Sequence, residues 1–200
     1  MLYSVKYWDA ALFVIKEKCA ENFLLKTIIY RTNSAIGRGI RGRENVRVQW
    51  NRNSKLSYTP QFLTLDNTPW FPLMGEIHYS RVSNGRWEEE LYKMKAGGIE
   101  LVSAYTIWIH HEEVEGEWDF SGDRDLRKFL QTIKNCGLHC ILRIGPWAHG
   151  EVRNGGFPDW LMQKEKEGQL VTRTNDPKYL RYVREFYVKI AEQARVLLLS

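Results

Sequence analysis

The feature that most constrains this chain is a regular alternation of segment types between Leu73 and Ile144. Leu73 to Tyr79 is an apolar run that reads as a strand. Trp87, Leu91 and Met94 then recur at i, i+4 and i+7, with Glu88, Glu89, Glu90, Lys93 and Lys95 filling the other faces. That spacing predicts an amphipathic helix, with Ser83 and Asn84 offering an N-cap and Gly97 and Gly98 a stop. Ile99 to Tyr105 reads as a second strand. Leu126, Phe129, Leu130 and Ile133 repeat the helical spacing up to Gly137, and Leu138 to Ile144 reads as a third strand. Asp176 and Pro177 supply a cap and a first-turn proline for a last helix carrying Leu180, Val183, Tyr187, Ile190 and Ala194. Ahead of the alternation, Gln61 to Leu65, the turn residues Asp66 and Asn67, and Trp70 to Phe71 read as a short β-hairpin.

Strands separated by helices imply a parallel α/β sheet, and the two common solutions are a doubly wound sheet and a (β/α)8 barrel. The first strand-to-helix turn, Tyr79 to Gly85, lacks the G-x-G-x-x-G phosphate cradle of a dinucleotide-binding fold. The strand ends carry polar and aromatic groups instead. The first delivers Glu76, His78, Tyr79 and Arg81; the second Tyr105, Trp108, His110, His111, Glu112 and Glu113; the third Arg143, Trp147, His149, Glu151 and Arg153. In a barrel the C-terminal strand ends build the active site. Aromatic residues make up 13% of the chain, with eight tryptophans, and aromatic platforms beside carboxylates and arginines suit a sugar.

Charge and cysteine usage remove several alternatives. Residues 1–60 hold eleven Lys and Arg against four Asp and Glu, a net +7, whereas the remainder holds eighteen against twenty, a net −2. The basic excess sits mainly in Arg38, Arg41, Arg43, Arg47 and Arg52 among glycines. That pattern reads as an unassigned basic lead-in, and no nucleic-acid partner is expected. Cys19, Cys136 and Cys140 are too few and wrongly spaced for a disulfide framework or a zinc site. His110 and His111, adjacent on an extended segment, would point apart, so no metal and no cofactor is expected. Glu112 and Glu113, also adjacent, read as a solvated loop with a capping or salt-bridging role. No run approaches the roughly 20 apolar residues of a membrane span. Ala10 to Ile15 is too short for a signal peptide, so the compartment stays unknown.

Three ordered blocks carry a resemblance. They are Gly75-Glu76-Ile77-His78-Tyr79-Ser80-Arg81; Ala104-Tyr105-Thr106-Ile107-Trp108, continuing to Asp119-Phe120-Ser121-Gly122; and Leu142-Arg143-Ile144-Gly145-Pro146-Trp147, continuing through Glu151 to Gly155-Gly156-Phe157-Pro158-Asp159-Trp160-Leu161. From about Thr64 to Ala194 the chain resembles the N-terminal part of the catalytic domain of glycoside hydrolase family 35, the β-galactosidases. The resemblance implies an incomplete (β/α)8 TIM barrel over residues 61–200, about the first three to four strand-helix units after the hairpin. It also implies a retaining hydrolase acting on terminal β-galactosyl residues. A complete barrel takes about 250 residues, so the chain reads as the product of a truncated gene with an added head.

The family's two catalytic glutamates find no match, so no catalytic residue is expected and the chain alone is expected to be inactive. Tyr105 matches a tyrosine lining the galactose site, and Glu151 a glutamate accepting bonds from sugar hydroxyls. Just before that glutamate the family typically has cysteine and alanine, and this chain has His149 and Gly150. Tyr105, His149, Gly150 and Glu151 are therefore the expected substrate wall, with a β-galactoside as partner. Self-association through the open barrel edge is a further expectation. Two alternatives are a sugar-binding remnant without catalysis and a basic-arm nucleic-acid binder.

Overall fold

The structure is a computed structural model that describes residues 48–49 and 55–198. Cys19, Ala10 to Ile15 and the arginine cluster lie outside the described residues. The described part is a mixed α/β arrangement with two small sheets.

The first sheet is antiparallel, with strands in chain order: β1 (Val48–Gln49), β2 (Lys55–Tyr58), β3 (Leu63–Leu65) and β4 (Thr68–Trp70). The expected hairpin is its β3–β4 half. Leu65 pairs with Thr68 across the two-residue turn, in which Asp66 and Asn67 both adopt positive φ, 53° and 66°. Two such residues in succession give the turn whose twist matches paired strands, and Asp and Asn tolerate it best after glycine. Strand β2 was not legible in the sequence. It lies before residue 60, and its Ser57 hydroxyl bonds that of Thr64 on β3.

The second sheet is parallel: β5 (Met74–Glu76), β6 (Leu101–Tyr105) and β7 (His139–Arg143), with β6 central. The connections carry α1 (Trp87–Ala96) and, after a short α2 (Trp108–His111), α3 (Leu126–Asn135). Helices α4 (Asp159–Lys166) and α5 (Pro177–Leu198) follow. The predicted order of strands and helices is thus observed, with altered ends. The first strand stops at Glu76 because Tyr79 leaves the sheet on a 3-10 turn, Tyr79–Arg81, to stack on Phe129 in the helical layer. Ser83 makes no side-chain cap. A second 3-10 turn, Asn84–Arg86, precedes α1, and the Asn84 amide donates to Asp123 from another loop. Asp125 caps α3 by accepting from the Lys128 amide, and Asp176 begins α5 as predicted, accepting from the Lys178 and Val171 amides.

The core lies between the parallel sheet and the helices. Val102, Ala104, Cys140, Leu142 and Ile77 pack with Trp87, Leu91, Leu126, Phe129, Phe157 and Phe186. Because side chains alternate along a strand, this leaves Glu76, Ser103, Tyr105 and Arg143 on the opposite face.

Candidate functional site

The register places Ser103 of β6 beside Glu76 of β5, and Tyr105 beside Arg143 of β7. These side chains form a network. The Glu76 carboxylate accepts from Ser103 Oγ at 2.9 Å and from Arg143 Nη1 at 2.9 Å on one oxygen, and bonds His78 Nε2 at 3.1 Å through the other. Burial pushes the Glu76 carboxyl up, but the bonds from His78, Ser103 and Arg143 and the guanidinium charge hold it below the usual range. The Arg143 guanidinium also lies 3.9 Å above the Tyr105 ring centroid. The His78 ring meets Tyr105 edge-on at 5.6 Å.

The loop after β7 closes on this network. Arg81 Nη2 donates to the main-chain carbonyl of Glu151 at 3.2 Å, and Arg81 Nη1 approaches His78 Nδ1 at 3.4 Å. Glu151 adopts φ 45°, a left-handed conformation uncommon for a residue with a side chain. Gly150 is pressed against His78: a Cβ there would stand 2.5 Å from the imidazole Cε1. Further on, the Ala148 amide donates to the Gly155 carbonyl at 2.7 Å. Gly155 has φ 61°, and a Cβ there would stand 2.4 Å from the Trp147 ring.

Of the four expected wall residues, the fold therefore gathers Tyr105, Gly150 and the Glu151 backbone around His78. The side chains of His149 and Glu151 are exposed, while Tyr105 is buried. The His149 ring meets the edge of Trp147 at 6.4 Å.

Several readings of the strand ends are corrected. Trp108 is fully buried and stacked on Phe186 at 4.8 Å, and Trp147 lies between Gly155 and the Arg173 guanidinium, 4.5 Å from its centroid. Both rings thus serve packing, because α2 and the loop after β7 turn them into the helical layer. Glu112 is not a solvated loop residue. It is 3% exposed and accepts from Trp108 Nε1 at 2.6 Å and the Gly116 amide at 2.9 Å, and burial raises its carboxyl. Glu113 is exposed and stands 3.7 Å from Arg124, the salt-bridging role expected of it. Arg81 bonds neither the Glu76 nor the Glu151 carboxylate: Glu76 is taken by Arg143, and Glu151 presents its main-chain carbonyl to Arg81.

His110 and His111 sit on a helix turn rather than an extended segment, and they diverge. His110 Nδ1 bonds Ser80 Oγ at 2.7 Å. His111 Nδ1 lies 2.9 Å from the Asp119 carbonyl, which only accepts, so Nδ1 carries the proton. His111 Nε2 then accepts from Tyr79 Oη at 2.5 Å. Burial lowers this imidazole to about 4. Among the described residues, no group of three His, Cys, Asp or Glu is arranged to hold a metal ion.

The site residues missed in the sequence are Ser103 and the pairing role of Arg143. Their signal was the period of two: Ser103 and Tyr105 fall on one face of an otherwise apolar strand.

Comparison with known proteins adds the family. The family model for glycosyl hydrolases family 35 matches residues 62–200. The chain is 37% identical over 147 residues to a beta-galactosidase of Mus musculus, covering 74% of this chain and 22% of that protein. It is 37% identical over 129 residues to the Homo sapiens beta-galactosidase, covering 64% and 19%. A Xanthomonas manihotis beta-galactosidase is 35% identical over 133 residues, covering 66% and 22%. The chain belongs to glycosyl hydrolases family 35. It spans about a fifth of the length of these curated relatives.

Proposed function

We propose that this chain carries the galactoside-recognising wall of a retaining β-galactosidase-type hydrolase, on strands that open a (β/α)8 barrel following a basic lead-in. The observation that carries the reading is the closure of the Gly150–Glu151 loop onto His78 and Arg81, with the His78 ring edge-on to Tyr105, which groups polar side chains from three successive parallel strands at their C-terminal ends. A carboxylate placed there accepts sugar hydroxyls in charge-assisted bonds that fix ring orientation. Tyr105, His149, Gly150 and Glu151 form the substrate wall of the proposal.

Retention requires two carboxyl groups about 5 Å apart, a proton donor and a nucleophile. Glu76 is committed to three donors, and Glu112 is buried under Trp108. Neither is free for that work; because the family's two catalytic glutamates find no match in the sequence, both are proposed to lie outside these 200 residues, and the chain alone is proposed to be inactive. Joined after Ala194 to the remaining catalytic domain of a full-length relative, the chain is expected to gain turnover of an aryl β-galactoside. In that chimera Glu151→Gln is expected to lower kcat/KM about ten- to a hundredfold, because one partner of a charge-assisted bond is worth about 1.5–3 kcal/mol. A folded, active chimera indifferent to Glu151→Gln would overturn the assignment. Turnover by the chain alone would overturn the proposed absence of catalytic residues.

A further inference from the structure

We infer that Arg143 is a positioning residue of this site, holding the Tyr105 ring in place from the neighbouring strand, with Glu76 as the anchor that keeps the guanidinium over it. This role rests on the reading above, in which Tyr105 lines the galactoside wall. It adds two residues that stand behind that wall and touch no reacting atom.

The main chain leaves Tyr105 chiefly the freedom of its side chain. Tyr105 is in register with Arg143 of β7, and the next residue, Thr106, bonds the Arg143 carbonyl through its amide at 3.0 Å and its hydroxyl at 3.3 Å. The two backbones are thus fastened together. The ring is then met on its face by the guanidinium, 3.9 Å from the centroid, and at its edge by His78. Tyr105 is 2% exposed and the Arg143 side chain 35%, so the arginine is the outer partner of the pair.

The guanidinium lies over the ring because it is drawn across β6. Neighbouring strands lie about 4.8 Å apart, so β5 and β7 stand about 10 Å apart with β6 between them. Glu76 is in register with Ser103, two positions before Tyr105, and Arg143 therefore crosses the central strand on a diagonal to place Nη1 2.9 Å from Glu76 Oε2. The carboxylate is itself fixed: the same Oε2 accepts from Ser103 Oγ at 2.9 Å, and Oε1 bonds His78 Nε2 at 3.1 Å. An arginine suits this span because its planar, weakly hydrated guanidinium can pack on an aromatic face while its edge donates to a carboxylate. A lysine ammonium carries the same charge as a compact, strongly hydrated point and has no plane to lay on the ring.

The test uses the 200-residue chain with Arg143→Lys, Arg143→Gln, Glu76→Gln and the variant combining Glu76→Gln with Arg143→Gln. Thermal midpoint, the nuclear Overhauser contact between the Tyr105 and His78 rings, and affinity for methyl β-D-galactopyranoside are measured for each. Arg143→Lys, which keeps the charge, is expected to weaken the ring contact and to lower affinity about tenfold, the scale of one misplaced hydrogen-bonding group, at a nearly unchanged midpoint. Arg143→Gln is expected to do at least as much, and Arg143→Lys carries the test by itself if the glutamine variant does not fold. Glu76→Gln is expected to move both readouts in the same direction by less, and to add less in the Arg143→Gln background than it does alone. A ring contact unmoved by either arginine substitution would overturn the inference. A loss of affinity with that contact intact would also overturn it, by making Arg143 a direct galactoside contact. Effects of the Glu76 and Arg143 substitutions that simply add would overturn the anchoring role. A displaced Tyr105 ring in a chain that binds no galactoside would uphold the positioning role and overturn only the galactoside reading.

Discussion

The two faces of the parallel sheet are built from the same strands yet solve different problems. On one face Val102 and Ala104 are fully buried, with Cys140 and Leu142 packed partly buried against the same core, and the packing continues through aromatic rings, Tyr79 stacked on Phe129 at 5.0 Å with Trp87 edge-on to Phe129 at 5.3 Å. On the other face Glu76, Ser103 and Arg143 bond one another, with the guanidinium laid over Tyr105. Parallel sheets are ordinarily covered on both faces, and their strands read as nearly continuous apolar runs. A strand that places Ser103 and Tyr105 at alternate positions departs from that pattern. The two faces are therefore held by different forces: apolar area holds the helices on one, and directional polar bonds order the side chains of the proposed substrate wall on the other.

The division is open to experiment, beginning where the largest effect is expected. Phe129→Ala removes a fully buried ring that contacts both Tyr79 and Trp87, and a deletion of this kind costs about 3–5 kcal/mol. Denaturant unfolding is expected to show that loss or the collapse of cooperative folding, and a change below 1 kcal/mol, by the same scale, would contradict the assignment of stability to the helix-covered face.

The next effect is on pH dependence. The folded state keeps His111 neutral down to about 4, whereas the unfolded chain takes up a proton near 6.5. Between those values the unfolded state binds more protons, so this contribution is complete above about pH 6.5 and is lost as the pH falls toward 4. The loss is about 3 kcal/mol, at 1.36 kcal/mol for each pH unit. Buried Glu112, with its carboxyl raised, works in the opposite direction by favouring the folded state as it protonates. His111→Gln is expected to flatten the acid limb of a stability profile between pH 4 and 8. An unchanged slope would show that the Tyr79–His111–Asp119 chain does not govern acid stability.

The smallest expected stability effect lies on the polar face. Glu76→Gln weakens an ion pair whose side chains are about one-third exposed, for which the cost is about 0–1 kcal/mol. Its effect on galactoside affinity is expected to be larger, because the His78 and Arg143 positions both depend on that carboxylate. Measuring midpoint and affinity on the same preparations sharpens the comparison, since a large fall in midpoint would make the polar face a structural element as well.

Some residues could be read correctly in isolation. Trp87 and Leu91, Leu126 and Phe129, and the Asp176-Pro177 start all behave as their spacing predicts, because helical periodicity and capping are local properties. The Asp66-Asn67 turn is legible for the same reason. Trp108 and Glu112 were misplaced because α2 is only four residues long and turns them inward, and so short a helix has no periodicity to detect. Ser83 has the composition of a cap, but Asp123, distant in sequence, supplies the acceptor at that helix entry.

The sequence alone thus determined the alternation of strands and helices, the family and the identity of Tyr105 and Glu151 as candidates, since each depends on local spacing or on ordered blocks of residues. The tertiary structure decided which side chains meet. Glu76 with Arg143 and Gly150 with His78 are pairs 67 and 72 residues apart. Their contact follows from strand register and loop closure, and no local pattern encodes the distance between residues that only folding brings together.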